Sequence, residues 1–477
     1  MNKSALAAIL LAVLTYSAAV EHAQNFSADE LTRRNVERRA FEAVIWGIPA
    51  VNYDAMYQAI ARDAKGGEGS NKIVYWSRLI DWKNQTLTPN PDSIYLMPFY
   101  NTKDVGPVVL EIPPADNGSI TGSVDDCWQT AIEDVGPAGF DKGKGGKYLI
   151  LPPDYKENVP DGYIPLHTTN YQGYALLRSI LKSNSEADVA RAVAYGKRVE
   201  LYPLSKAAHP PETQFVDATN VIYDAAIPYD LRFFQALDRI VQVEPWITRD
   251  KAMIDQLKSI GIEKGKPFNP DPKTQEALNS GIREAHAWLV NYYETSYFPA
   301  PYYDGGHWFV AASQEFAKAM QTGFSDPDSY PVDVRGTAYS LGFFSAKHFG
   351  AGQFYLMTFR GKDGQPFVGS STYRLKVPAN APVTQYWSAT VYNRDSHTLI
   401  RNMPWASRSS QTPGLQKNDD GSVDVYFAPK APAGKESNWV PIDPNGNFEV
   451  LFRFYGPQKP LVDKSWRLPD IEKITTP

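Results

Sequence analysis

Residues 448–455 read FEVLFRFY. Successive side chains of a β-strand point to opposite faces. Phe448, Val450, Phe452 and Phe454 therefore share one face, and Glu449, Leu451, Arg453 and Tyr455 share the other. The first face suits a core. The second mixes a carboxylate, a guanidinium and a phenol. If it meets solvent, these are cross-strand pairs of small energetic weight. If it lines a mouth, they bind the polar end of a ligand. The sequence leaves both readings open. YWSATVYN, residues 386–393, repeats the pattern, with Trp387, Ala389 and Val391 opposed to Tyr386, Ser388, Thr390 and Tyr392. The turn dipeptides Asp363-Gly364, Asp420-Gly421 and Asn445-Gly446 punctuate this region. Many short strands with regular turns predict a β-sandwich or jelly roll over residues 351–477.

Strands also dominate residues 71–210. PVVLEIP and KYLILPP are short, β-branched or aromatic, and bounded by Gly, Pro and Asp. DKGKGGKYLI places its glycines before a strand, whereas a phosphate cradle needs a helix N-terminus there. We read it as a turn. Between the two β-rich regions, residues 211–350 are helical, with amphipathic stretches at Leu231–Val243, Lys251–Ile260 and Thr274–Tyr293. Residues 20–70 carry a capping box, Ser27-Ala28-Asp29-Glu30. A helix is expected from there to about Trp46, stopped by Gly47 and Pro49, with a second over Tyr53–Ala64. The chain is thus expected to be α+β and β-rich, with an N-terminal β-sandwich-like domain, a helical middle segment and a C-terminal jelly-roll-like β-sandwich.

The chain has 477 residues, 13% of them aromatic, a net charge of −5 and a pI near 5.9. It has no basic block interleaved with aromatics, which argues against nucleic-acid binding. Lys3, the apolar run Ala5–Val20 and Ser17-Ala18-Ala19 read as a cleavable signal peptide over residues 1–19. A periplasmic or secreted protein is expected, with no integral membrane span after cleavage. The single cysteine, Cys127, excludes an internal disulfide and reads as buried filler. Histidines are scattered without ligand spacing, so no metal site is expected, and no cofactor can be named.

The chemistry-bearing candidates fall in four groups. In TPNPDSIY, Asn90 and Asp92 flank Pro91, and Tyr95 follows. Asx side chains and proline make turns, which is the reading the pattern favours; the functional reading has Asp92 and Tyr95 facing a cleft. Asp125 and Asp126 precede Trp128. Adjacent carboxylates point to opposite faces, so Asp126 would act alone rather than in a dyad. His167 ends a strand, and Arg178 could hold an anion or pair with a carboxylate. Near the C-terminus, Tyr392, Arg401 and Arg453 could bind a polar ligand end. Asp92, Asp126 and His167 are the acid/base candidates; Asn90, Tyr95, Trp128, Arg178, Tyr392, Arg401 and Arg453 are the ligand-binding ones.

Several of these residues carry a resemblance. TPNPDSIY, then VVLEIP, then GGKYLILPPDYKENVPDGYIPLHTTNYQGYALLRS resembles domain of unknown function 1254, with Ser93 in place of the usual Thr. YWSATVYN, DGSVDVYFAP and NWVPIDPNGNFEVLFRFYGPQKPLVDKSWRLPDI resemble domain of unknown function 1214. The resemblance implies an exported bacterial protein with the architecture given above, and no settled activity. The expected function is binding or transformation of a small, partly apolar molecule in an aromatic-lined pocket. Whether the protein is an enzyme stays open. The alternatives are a non-enzymatic, homo-oligomeric envelope or surface-active protein, and a carbohydrate-binding protein.

Overall fold

The computed structural model describes residues 26–67, 72–298, 300–342, 346–348 and 352–475. The expected signal peptide lies outside the described residues. Five principal helices are α1 (Ala28–Gln58), α2 (Glu186–Gly196), α3 (Leu231–Val243), α4 (Pro272–Tyr292) and α5 (Val332–Leu341). Ser27 caps α1 through its Oγ, which accepts from the Glu30 N–H at 3.2 Å. Asp271 caps α4, with Pro272 in the first turn.

The stop expected at Gly47 and Pro49 does not occur: α1 runs through both. The reason is tertiary. Every residue from Ala43 to Asp54 is buried, and packing rather than propensity holds such a segment helical. Gly47 is a contact, since a Cβ there would sit 3.1 Å from Leu237 of α3. Pro49 cannot donate to the Ile45 carbonyl. At that carbonyl α5 comes so close that a Cβ on Gly336 would lie 2.4 Å from Ile45 O.

The N-terminal half builds two sheets. One has the order β10 (Gln214–Asp217), β1 (Lys72–Tyr75), β2 (Ile94–Asn101), β8 (Gln172–Ser179), β4 (Ile120–Asp126), β5 (Ala131–Val135). The other has β9 (Glu200–Pro203), β3 (Val108–Ile112), β6 (Gly146–Leu151), β7 (Tyr163–His167). Between them lies a core including Ile73, Leu96, Leu110, Ile150 and Leu177. The glycines before β6 form a turn, tied by Asp141, whose Oδ2 accepts from the Gly145 N–H at 2.9 Å. This matches the turn reading.

The C-terminal half is a sandwich. One sheet has the order β11 (Phe309–Val310), β12 (Gln353–Thr358), β18 (Phe448–Pro457), β14 (Val383–Asn393), β15 (Ser407–Ser409). The other has β17 (Trp439–Pro441), β16 (Val423–Ala428), β13 (Thr372–Val377), β19 (Glu472–Ile474). Phe448, Val450, Phe452 and Phe454 fill the space between the sheets with Trp387, Leu375 and Val425. The opposite face of β18 is buried too. Leu451 joins a third core that also contains α1, Met97 of β2 and Tyr174 of β8. The helices and the outer faces of both large sheets thus close on one another. The chain is α+β and β-rich, as expected. No helix among the described residues is long and apolar enough to cross a membrane.

One carboxylate of this core titrates in an accessible range. Glu244, at the end of α3, is 4% exposed and accepts from the Tyr171 and Gln172 N–H groups at 2.7 and 3.0 Å. Burial outweighs those bonds and pushes its carboxyl up from 4.5 to about 7. The folded state therefore binds the proton more tightly than the unfolded chain. Stability is full below the unfolded value and falls as pH rises toward 7, by about 3 kcal/mol. Glu244→Gln should flatten this fall, as read by urea denaturation at a series of pH values. Parallel curves for both proteins would refute the assignment.

Candidate functional site

The site is built by two strand ladders and a loop. In the N-terminal half, Tyr95 of β2 lies directly opposite Arg178 of β8. The Arg178 guanidinium sits 5.2 Å over the Tyr95 ring. In the C-terminal half, β18 is flanked by β12 and β14. Arg453 stands between Tyr355 and Ser388, and Tyr455 between Gln353 and Tyr386. Period-two alternation puts these side chains on the face turned toward the N-terminal half.

The loop Thr88–Ser93 enters that face. Its backbone is the acceptor. Thr88 O accepts from Arg453 Nη2 at 2.8 Å, Pro89 O from Tyr392 Oη at 2.6 Å, and Asp92 O from Tyr386 Oη at 3.2 Å. Thr88 adopts a φ of +39° to do so. The Asn90 amide nitrogen is 2.8 Å from Tyr455 Oη, 3.1 Å from Tyr386 Oη and 3.1 Å from Ser93 Oγ. Its backbone N–H donates to Tyr95 Oη at 2.9 Å, and its Oδ1 accepts from the Asp92 N–H at 3.1 Å. The loop is an Asx turn, and it is also the joint between the two halves.

Beside this joint lies a cavity of about 200 Å³, lined by both halves. Thr121, Ser123, Asp134, Leu176 and Arg178 come from the first, and Phe354, Tyr355 and Tyr455 from the second. Exposed His348 stands at its rim, and its N–H donates to Asp134 Oδ2 at 2.7 Å. A smaller chamber of about 30 Å³ lies further in, lined by Tyr95, Arg453, Leu341, Met357 and Leu451 among others. Arg178, Ala311 and Tyr355 line both spaces.

The electrostatics are those of a site short of negative charge. Arg453 is 2% exposed, and its partners are neutral: Thr390 Oγ1, Thr88 O and Tyr392 Oη. Asp92 is buried, with Oδ1 accepting from Asn184 and Oδ2 from Ser407 at 3.0 and 2.8 Å. Burial raises its carboxyl above the ordinary range, against the pull of those bonds and of Arg453. Burial also pushes the Tyr455 phenol up, but Arg178 and Arg453 pull it down further, and the net shift is downward.

The structure gathers Asn90, Asp92, Tyr95, Arg178, Tyr392 and Arg453 at this junction; Tyr95, Arg178 and Arg453 line the two spaces, and Asn90, Asp92 and Tyr392 lie behind the lining. The other candidates lie elsewhere. His167 ends β7 in an exposed position. Asp126 accepts from the Trp128 and Thr130 N–H groups at 2.9 and 2.8 Å, which ties a buried turn. Trp128 packs 4.5 Å from Trp46. Arg401 is exposed and paired with Asp224 at 3.0 Å. Buried Cys127 has its thiol pushed up by that burial. Three lining residues were not singled out from sequence: Tyr355, Asp134 and His348. Tyr455 was visible only as a strand-face neighbour of Arg453.

Two family models match the chain. Residues 70–203 match Protein of unknown function (DUF1254), and residues 352–459 match Protein of unknown function (DUF1214). The chain belongs to the DUF1254/DUF1214 family. The crystal structure of the VPA0106 protein from Vibrio parahaemolyticus is similar, with 18% identity and a TM-score of 0.56 over 92% of this chain and 100% of that one. That likeness concerns the fold. The crystal structure of an uncharacterized protein from Burkholderia cenocepacia aligns over 93% of this chain and 96% of that one, with 9% identity and a TM-score of 0.41. No curated protein matches. In this DUF1254/DUF1214 protein the DUF1254 match supplies Asn90, Tyr95 and Arg178, the DUF1214 match supplies Tyr355, Arg453 and Tyr455, and the cavity lies between them.

Two outcomes test this geometry. Asn90→Ala leaves three buried hydroxyls, of Tyr455, Tyr386 and Ser93, and the buried Asp92 N–H short of a partner, so it should cost about 2–4 kcal/mol in urea denaturation. A loss below half a kcal/mol would show that the amide is not the joint. The lowered Tyr455 phenol makes a second test. Its stabilisation is present above the unfolded value near 10.0 and is lost as pH falls through the folded value. Ultraviolet titration should show one phenolate forming early, and Tyr455→Phe should abolish it.

Proposed function

We propose that the DUF1254/DUF1214 junction binds a small, partly apolar molecule. The observation that carries this is the cavity of about 200 Å³ lined by residues of both halves, which shares Arg178, Ala311 and Tyr355 with a smaller adjoining chamber. Small-molecule sites are concave, mostly apolar and placed between domains, with a few polar groups that orient the ligand. Val310, Ala311, Leu176 and Phe354 supply apolar wall, and Arg178, Tyr355 and Tyr455 supply the orienting groups. The volume is below the roughly 300–1,000 Å³ of drug-sized pockets, which favours a ligand of few heavy atoms.

The surface-active alternative draws less support. Among the described residues the large apolar side chains left exposed are only seven, Phe26, Leu31, Phe140, Ile222, Ile254, Val368 and Val462. A surface-active face wants a contiguous patch. Export to the periplasm stays part of our reading, supported by the leader-like residues 1–19.

Filling the space at the wall shared by the cavity and the chamber tests the proposal. The uncharged fluorophore N-phenyl-naphthylamine should bind the wild type saturably and brighten. Ala311→Trp should abolish that signal and leave the circular dichroism spectrum unchanged. Equal brightening by both proteins would place the dye elsewhere and overturn the reading.

A further inference from the structure

We propose that the inner chamber is an anion subsite that takes the carboxylate of an aliphatic monocarboxylic acid between Arg178 and Arg453. The inference rests on the pocket reading above and specifies its ligand. Three observations carry it.

The first is uncompensated charge. Arg453 is 2% exposed and its Nε is buried without a partner; the Nε of Arg178 is likewise buried without one. Among the described residues no carboxylate forms an ion pair with either guanidinium; tyrosines act on both electrostatically, and the buried Asp92 carboxyl acts on Arg453 from a distance. A buried cation left without an opposite charge is strongly disfavoured. The same strand shows the alternative. Glu449, four residues before Arg453 and on the same face, is 0% exposed and fully engaged by His397 at 2.7 Å, Arg394 at 3.4 Å and Tyr293 Oη at 3.2 Å. Arg335 and Arg408 are also buried with only neutral hydrogen-bond partners. What sets Arg453 apart is the space that it lines with Arg178.

The second is the shape of that space. About 30 Å³ holds one or two water-sized oxygens. That suits the two oxygens of a planar carboxylate and is small for a tetrahedral phosphate. Arginine forks match carboxylates in two-pronged geometry. The third is the wall. Leu341, Met357 and Leu451 are apolar, so the chain behind the carboxylate meets hydrocarbon and extends past Ala311 into the larger cavity. The Asp92 carboxyl acts on Arg453 without touching it: its oxygens accept from Asn184 and Ser407 instead, and burial raises it above the ordinary carboxylate range.

The test is calorimetric titration of the purified full chain with octanoate, with 1-octanol as the uncharged match and with inorganic phosphate. Octanoate should bind the wild type about tenfold or more tightly than octanol, since a charge-assisted pair in a dry site is worth that factor. Arg178→Gln should remove that preference, so that octanoate binds no more tightly than octanol; Arg178→Lys should restore part of it. Arg178 is only partly buried, so these variants are tolerated better than changes at Arg453, and thermal unfolding verifies their folding. Octanoate and octanol binding alike, in wild type and Arg178→Gln, would overturn the anion subsite and leave the pocket standing. Phosphate displacing octanoate would overturn the carboxylate assignment. No binding of octanoate or octanol, together with a dye signal unaffected by Ala311→Trp, would overturn both.

Discussion

The arrangement depends on six residues of backbone, Thr88 to Ser93, inserted into the polar face of a sheet. Three carbonyls of that loop accept from Arg453, Tyr392 and Tyr386, whose partners are otherwise few. Taken away, the loop would leave those buried donors unsatisfied, at about 1–3 kcal/mol each. Taken away, the sheet would strand the carbonyls. Each half is therefore an incomplete structure whose polar groups are finished by the other. This is why β18 carries Arg453 and Tyr455 on a face that is not solvated. The apolar contacts around the joint would hold the halves together, but hydrogen-bond geometry sets their register.

A joint made this way leaves a cavity for a physical reason. The outer faces of two twisted sheets do not match like the inner faces of a sandwich. The helices α1, α3, α4 and α5 fill most of the wedge between them. The remaining gap is lined by residues of β8 and β12, Arg178 and Tyr355 among them. Polar side chains collect there because the loop already needs donors nearby. The site is thus a by-product of the joint, with the charges left over.

Local patterns in the sequence are legible where they are local in space. The alternation of FEVLFRFY survives in the structure residue by residue, with its phenylalanines between the sheets. So do the Ser27 cap and the glycine turn before β6. The continuous α1 is not legible, because Gly47 and Pro49 are breakers in isolation. Their role comes from Leu237 and Gly336, 190 and 287 positions away by their numbers. The fate of the Arg453 face is hidden for the same reason: Asn90 and Tyr455 meet across 365 positions. Asn90, Tyr95, Arg178, Tyr392 and Arg453 were reachable from residue chemistry and family motifs. Tyr355 was not, since QFYLMT has no clean alternation and its partners are read only through the pairing with β18. Asp126, by contrast, looked like Asp92 in sequence; only the backbone N–H groups it accepts from reveal a turn.

The turn and the site are not rival readings of TPNPDSIY. Asn90 and Asp92 do what Asx residues do in turns: Asn90 Oδ1 accepts from the backbone two residues on, and proline fixes the bend. But an Asn side chain has an amide as well as a carbonyl. Here the carbonyl makes the turn and the amide reaches across to Tyr455 and Tyr386. An aspartate at position 90 would make the same turn and could not donate to those phenols. The turn rigidifies the strand entry, the strand entry places Tyr95 opposite Arg178, and that pair forms one wall of the inner chamber. One local hydrogen bond therefore sets the position of a guanidinium near a cavity more than eighty residues further along the chain. Substitutions in the motif should consequently act on stability and on the cavity together, whereas substitutions at Ala311 act on the cavity alone.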